Sequence, residues 1–309
     1  MLSILLVTGP TASGKTRLAI DLARAVGGEV VNADSQQVYR GLDVGTAKPT
    51  PEEQAEVPHH LYDVAEPGAG FDAARYVALA DRAIAEIASR GRLPVVCGGT
   101  GLYVRALLHG VAEAPGRDPE LRARLEAEAV REGRPALHAR LAAVDPEAAA
   151  RIGPNDLVRI TRALEIAASG RTQSEVFGAH AFREDRYRFR LLALDPPREE
   201  LHRRIEARAP RMLEGLLSET RALLSATGGR PGEPLPPKLP IGYADALLHL
   251  AGEIPREEAL RRLVVAHRRY ARRQVVWLRR ESGVEWLSPP VDVAALSQAL
   301  AAWRAAAAP

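Results

Sequence analysis

Cysteine is almost absent from this chain of 309 residues: Cys97 is the only one. A single thiol can build neither a disulfide framework nor a thiolate metal cage. Long apolar runs are missing too, all falling well short of the roughly 20 residues that span a bilayer. The stretch Met1 to Leu6 lacks the basic flank of a signal peptide, so a cytoplasmic protein without membrane association is expected. Aromatic residues make up only 5%, yet the total hydrophobic content of 46% is ample for a globular core. The length allows one large domain or two ordinary ones, and no internal repeat is visible.

Lysine is the next scarcity. Arginine is abundant, but the only lysines are Lys15, Lys48 and Lys238. Where a chain uses Arg almost everywhere, a retained Lys marks a place that needs a compact ammonium rather than a planar fork. Lys48 in Gly45-Thr46-Ala47-Lys48-Pro49 and Lys238 in Pro237-Lys238-Leu239-Pro240 therefore join Lys15 as candidates, with chance survival the alternative for Lys238. Acidic residues are absent from one segment. Between Arg261 and Arg280 lie eight arginines and no Asp or Glu, although the net charge of the whole chain is only +3. A solvated helix face normally interleaves Glu at i,i+4, so the pattern favours a polyanion as partner.

What is present is a phosphate loop. Gly9, Pro10, Thr11, Ala12, Ser13, Gly14, Lys15 and Thr16 fit G-x-x-x-x-G-K-[ST]. The apolar run Leu2 to Val7 predicts a buried strand before it. Leu18, Leu22 and Val26 predict an amphipathic helix after it. Such a loop closes its backbone N–H groups around phosphate oxygens at a helix N-terminus. Lys15 then reaches a terminal phosphate, and Thr16 offers its hydroxyl to Mg²⁺.

A second strand, Glu29 to Asp34, brings Asp34 to the ligand edge of a parallel sheet. Asp34 is either a general base facing the loop or a carboxylate that holds Mg²⁺ through water. A third strand, Leu93 to Cys97, precedes Gly98-Gly99-Thr100-Gly101 and a helix from Leu102. Thr100 is either a hydrogen-bond donor to a phosphate or leaving oxygen, or the N-cap of that helix. Arg204 and Arg208, one helical turn apart, are either a diphosphate clamp or a solvated face. His59 and His60 are read as loop structure, since adjacent histidines seldom share a metal.

Strand and helix alternate through the first third, with a helix over Phe71 to Arg90. The long connection Arg40 to Gly70 between strands is read as a functional lid. From Pro119 to about Gly170 only helical periodicity remains, and Phe189 to Leu194 resumes a strand. Long helices follow over Arg198 to Leu224 and Glu257 to Arg280, joined by a Pro-rich connector, Pro231 to Pro240. The Ala-rich end from Val291 predicts a short helix and a frayed tail. The expected fold is α/β: a phosphate-loop NTPase-like, doubly wound parallel sheet with an all-helical insertion. Residues 1–113 and 185–309 form the core with its C-terminal helices, and residues 114–184 the insertion. One core plus an insertion accounts for the apolar pattern, so a monomer is expected.

Taken together, these stretches resemble the tRNA dimethylallyltransferases. The resemblance rests on Gly9 to Thr16, Asp34-Ser35-Gln36-Gln37-Val38-Tyr39, Gly45 to Pro49 and His59-His60-Leu61. It continues through Gly98-Gly99-Thr100-Gly101-Leu102-Tyr103, Asn155-Asp156, Arg159 to Glu165, Ile241-Gly242-Tyr243 and Arg273 to Trp277, in family order over nearly the whole chain. It implies transfer of a dimethylallyl group from dimethylallyl diphosphate to N6 of the adenosine 3′ of the anticodon in tRNA. Lys15, Thr16 and Mg²⁺ would hold the diphosphate, together with the remaining loop residues and Arg208. Asp34 would take the N6 proton, with Thr100 beside the reacting centre and the target base flipped out of its stack. By the same resemblance, tRNA would be touched by Asp34, Ser35, Gln36, Gln37, Thr100 and Arg122. So would it by Val158, Arg159, Ile160, Thr161, Arg162, Leu239, Pro240, Ile241, Gly242, Tyr243 and Ala244, while the insertion grips the anticodon arm. Two departures from the family pattern are His267 before Arg268 and Val276 before Trp277, each in place of Thr. The chain lacks the zinc-finger extension of eukaryotic relatives, which points to a bacterial-type enzyme. A small-molecule or nucleoside kinase using ATP would share the loop and Asp34, but leaves the arginine-rich helix and the insertion unexplained. A nucleotide-binding module that grips RNA without chemistry would carry the same loop. So would a prenyltransferase of free AMP, which has no need of the helical insertion.

Overall fold

The structure is a computed structural model that describes residues 1–180, 184–230, 233, 235–236 and 238–306. The chain divides into two compact units, Met1–Leu108 with Asp185–Pro309, and His109–Glu184.

The first unit begins with β1 (Ser3–Thr8), α1 (Lys15–Val26), β2 (Gly28–Asn32), α2 (Pro51–Glu56), β3 (His59–His60), α3 (Ala73–Ser89), β4 (Leu93–Cys97) and α4 (Gly101–His109). The second unit follows with α5 (Pro119–Glu132), α6 (Arg134–Val144), α7 (Pro146–Arg151), α8 (Leu157–Ala167) and α9 (Gln173–His180). The chain then completes the first unit with β5 (Arg188–Leu194), α10 (Arg198–Thr227), α11 (Tyr243–Leu250), α12 (Arg256–Leu278), β6 (Val284–Leu287) and α13 (Val293–Ala305). Positions 231, 232, 234 and 237 of the Pro-rich connector, and 307–309 of the tail, lie outside the described residues.

Six strands form one parallel sheet in the order β3-β2-β4-β1-β5-β6. Parallel sheets are covered on both faces, so their central strands read as unbroken apolar runs. In β1, Ile4, Leu5, Leu6 and Val7 are each at most 1% exposed. The period of two sorts them: Ile4 and Leu6 pack with Tyr76 and Ile84 of α3 and Leu107 of α4, whereas Leu5 and Val7 pack with Leu18 and Leu22 of α1 and Leu300 of α13. Among the described residues, no helix is long and apolar enough to cross a membrane.

Two anchors hold the connection Arg40 to Gly70. The Lys48 ammonium donates to Tyr39 O at 2.6 Å, Asp43 Oδ1 at 2.6 Å and Asp63 Oδ1 at 2.5 Å. Glu219 of α10 accepts from the N–H groups of Asp43, Val44 and Gly45 at 2.9, 2.7 and 3.2 Å. Leu42 beneath it joins Met212, Leu216, Tyr243 and Leu263 in a third apolar cluster. Lys48 is thus a cross-link inside the connection, and Lys238 is exposed. His59 and His60 are not loop residues: they form β3 at the sheet edge, with His60 Nε2 2.7 Å from Glu29 Oε2. Among the described residues, no group of three His, Cys, Asp or Glu could hold a metal ion.

The second unit packs Leu125 of α5, Leu137 and Leu141 of α6, and Ile160 and Leu164 of α8 around a core of its own. Glu165 of α8 is the buried charge that ties it. Arg122 meets it bidentately at 2.9 and 2.8 Å, Arg162 at 2.5 Å, and the Asp118 N–H at 2.6 Å. Burial alone would raise the Glu165 pKa, but these hydrogen bonds outweigh it and hold the carboxyl at about 2. A folded-state pKa below the ordinary 4.5 gives stability that is complete above pH 4.5 and lost as pH falls toward 2. Glu165→Gln is therefore expected to lower the unfolding midpoint at pH 7 far more than at pH 2.5. Urea titrations at the two pH values check this, and an equal loss at both would remove Glu165 as the acid-sensitive tie.

Candidate active site

At the end of β1 the chain leaves the sheet through Gly9 at φ 145°, Ala12 at φ 65° and Gly14 at φ 95° before entering α1. A Cβ on Gly9 would stand 2.8 Å from Ser13 Oγ and 3.1 Å from Leu194 O. That crowding adds to the left-handed φ in requiring glycine. Pro10 has no N–H, and the Ser13 N–H donates to Pro10 O at 3.1 Å. The N–H groups of Ala12, Gly14, Lys15 and Thr16 remain for a ligand, at the positive end of α1.

The loop opens on a cavity of about 350 Å³ whose lining includes Lys15, Thr16, Asp34, Arg208, His267 and Tyr270. Burial lowers the Lys15 pKa, and the charge of Asp34 opposes that. Burial likewise lowers that of Arg208, again against Asp34. Arg208 donates from Nη2 to Thr11 Oγ1 at 2.8 Å, while its buried Nε has no partner. A desolvated guanidinium with an orphaned donor, beside a phosphate loop, has the chemistry to accept an anion. Arg204 is spent otherwise, on Glu200 at 2.8 Å and Ser13 O at 3.2 Å. Burial brings the His267 imidazole down to about 4, so it is neutral at ordinary pH, with Nδ1 3.0 Å from Leu263 O. Cys97, under the loop with Sγ 3.7 Å from Lys15 O, is pushed up to about 12 by burial and stays a thiol.

Asp34 is 7% exposed and rigidly presented. The Asn32 side chain accepts from the Asp34 N–H at 2.9 Å and donates to Asp34 O at 3.2 Å and Leu61 O at 3.1 Å. One carboxylate oxygen accepts from the Gln36 N–H at 3.0 Å. Thr100 Oγ1 accepts from the Ser35 N–H at 2.8 Å and lies 3.1 Å from Ser35 Oγ. Thr100 is therefore tied to the Asp34 segment, and the Tyr103 and Val104 N–H groups bond its carbonyl. The sheet thus brings Gly9 to Thr16, Asp34, Ser35, Thr100 and Arg208 together.

Of the remaining residues singled out from the sequence, Gln36 and Gln37 are half-buried at the cavity. Gln36 Oε1 accepts from the Ile241 N–H at 3.0 Å, and Gln37 Nε2 donates to Thr46 O and Ala47 O at 3.1 and 2.8 Å. In the segment Leu239 to Ala244, Pro240 is buried, Gly242 caps α11 at φ 99°, and Ala244 is exposed. Tyr243 is wholly buried, its hydroxyl donating to Glu219 at 2.5 Å. In the second unit, Val158 and Arg159 are exposed, whereas Ile160 and Thr161 face its core. The guanidinium groups of Arg122 and Arg162 are engaged by Glu165.

Two features escaped sequence reasoning. Tyr270 of α12 lines the cavity, together with Gln36 and Asp34. Helix periodicity places Tyr270 and Gln274, at i and i+4, on one face of α12, but gives no signal of what lies against it. The arginine-rich helix is also less bare than its local sequence implies. Arg261 and Arg262 pair with Glu258 one turn earlier, and Arg268 pairs with Glu206 of α10. Among the described residues, Arg269, Arg272, Arg273, Arg279 and Arg280 form no ion pair, and all five are exposed.

The family profile described as IPP transferase matches residues 37–281, and one described as isopentenyl transferase matches residues 2–62. A tRNA dimethylallyltransferase of Anaeromyxobacter dehalogenans is 71% identical over 296 residues, covering 96% of this chain and 98% of the relative. That of Myxococcus xanthus is 53% identical over 290 residues, covering 93% of each. Among solved structures, the full-length tRNA isopentenylpyrophosphate transferase of Bacillus halodurans is similar with TM-score 0.66 and 37% identity, over 99% of this chain and 96% of that one. A eukaryotic dimethylallyltransferase solved acting on tRNA has TM-score 0.77 and 28% identity, over 99% of this chain and 78% of its own.

Proposed function

The chain belongs to the IPP transferase family, and we propose that it transfers a dimethylallyl group from dimethylallyl diphosphate to N6 of the adenosine 3′ of the anticodon in tRNA, releasing diphosphate. The observation that carries the assignment is the convergence of an anion cradle and a single buried carboxylate, Asp34, on one cavity. The enzyme acts in the cytoplasm as a monomer.

The diphosphate sits in the loop Gly9 to Thr16. Lys15 and Arg208, both desolvated and without a carboxylate of their own to neutralise them fully, gain most when the C1–O bond breaks and charge collects on the leaving oxygens. N6 of adenine forms the new bond to C1 and loses a proton to Asp34, which the Asn32 amide and the Gln36 N–H hold in place. Thr100 and Tyr270 border the acceptor side and position the base.

The donor set also fits Mg²⁺. The Thr16 hydroxyl is a hard oxygen on the cavity, and an ion that keeps most of its waters and binds phosphate oxygens needs few protein ligands. When bound through Thr16, Mg²⁺ would neutralise charge on the departing diphosphate.

The polyanionic acceptor meets the unpaired arginines of α12. In the second unit, exposed Val158 and Arg159 contact the anticodon arm, while Arg122 and Arg162 shape that surface by holding α5 and α8 through Glu165. Residues Ser35 to Gln37 and Leu239 to Ala244 border the acceptor through their backbone and exposed atoms.

The direct test is incubation with unmodified tRNA, Mg²⁺ and dimethylallyl diphosphate, followed by mass spectrometry of the nucleosides. An adenosine heavier by one dimethylallyl group supports the assignment; no product, with ATP consumed when a nucleoside is offered, overturns it. Asp34→Asn is expected to reduce kcat by about 10²–10⁴-fold. It should leave inorganic pyrophosphate binding intact or tighter, because a negative charge leaves the cradle; weaker pyrophosphate binding in calorimetry would contradict its role as base. Reversing Arg272 and Arg273 to Glu should weaken tRNA binding and flatten the log K against log salt slope by roughly one unit per lost phosphate contact. An unchanged slope would remove α12 from the tRNA surface.

A further inference from the structure

One buried side chain joins the phosphate loop to the turn that follows β4. Gln274 of α12 is 4% exposed. Its Oε1 accepts from the Thr11 N–H of the phosphate loop at 2.7 Å, and its Nε2 donates to Gly99 O, next to Thr100, at 3.0 Å. The phosphate loop follows β1 and the Gly99 turn follows β4, so the amide bridges two segments that the strands alone leave joined only at their bases.

The surroundings are cut to admit it. A Cβ on Gly99 would stand 2.0 Å from Gln274 Nε2, and one on Gly101 2.2 Å from the Trp277 ring, one turn further along α12. Neither glycine has a left-handed φ. Both are small because α12 lies directly on this turn, not because the backbone bends unusually. Tyr270, one turn before Gln274 on the same helix, lines the cavity.

We infer that Gln274 is a positioning residue: a strut that sets the separation between the diphosphate cradle and the turn carrying Thr100, and so the approach of N6 to C1. The inference rests on the diphosphate and acceptor roles proposed above. Transfer requires the breaking C1–O bond and the forming N6–C1 bond to be held in line across these two segments. A shift of about 1 Å in such an arrangement costs about 100-fold in rate. Neither hydrogen bond touches the reacting atoms. Loss of the strut should therefore appear in kcat and leave each substrate's own binding nearly unchanged.

Two variants test it. Gln274→Met keeps the volume and removes both hydrogen bonds. It is expected to lower kcat about 100-fold, with KM for dimethylallyl diphosphate and Kd for inorganic pyrophosphate within about threefold of the parent. Gly99→Ala drives the amide out of its seat and should reproduce this loss. In a Gln274→Ala background, where only Gly9 O at 3.3 Å still presses on the new methyl group, Gly99→Ala should add far less than it costs alone, a non-additivity that two independent destabilising changes would not show. Additive effects of the two substitutions, or a Gln274→Met enzyme with the parent's kcat, would overturn the strut. If the parent itself neither binds pyrophosphate nor forms product, the failure belongs to the proposed function instead.

Discussion

The molecule depends on β1 being buried between two parallel neighbours. β4 pairs with it along one edge and β5 along the other, and its four central apolar residues are sealed by helices on both faces. Each such side chain stabilises the fold by about 1.5–3 kcal/mol. Because every strand runs the same way, the C-terminal ends of β1, β2 and β4 emerge together. The phosphate loop, Asp34 and Thr100, far apart in the chain, become neighbours for that reason alone.

Close packing at this edge explains its glycines better than backbone freedom does. A Cβ on Gly98 would stand 2.2 Å from the Ala33 carbonyl carbon, and Gly99 and Gly101 are pressed by α12. The turn Gly98 to Gly101 is a place where a strand end and a helix approach one backbone almost to contact. The connection after Tyr39 is governed by the opposite device, a buried ammonium and a carboxylate that collect backbone groups. Anchored in this way, Thr46 and Ala47 serve as cavity wall rather than as a loose cover.

Charge in the cavity is arranged for a ligand rather than for stability. Two cations are partly desolvated, one guanidinium N–H has no partner, and one carboxylate is held among them. Such an arrangement costs the empty protein free energy, since buried polar groups without partners are unfavourable. An anionic ligand entering the cavity would recover that cost. The unpaired arginines of α12 repeat the logic at the surface, as exposed cations without carboxylate partners among the described residues.

The chain's local signals were enough for its class and much of its chemistry. Period-two and period-3.6 patterning disclosed the main strands and helices, and the spacing of Gly9, Gly14, Lys15 and Thr16 disclosed the cradle. Those features are encoded by residues close together in sequence, where propensity and sterics act directly. Other features were hidden because they depend on partners far along the chain. Lys48 could not be told from a ligand lysine until Asp63 folded back onto it. Arg268 looked free until α10 brought Glu206 beside it. Tyr270 and Gln274 were invisible as site residues, since a helix periodicity says which face is buried but not what lies against it. By itself the sequence determined the sheet, the anion site and the family. Only the tertiary structure decided which polar side chains are spent on the fold and which remain for a substrate, because pairing energies depend on distances that neighbouring residues do not set.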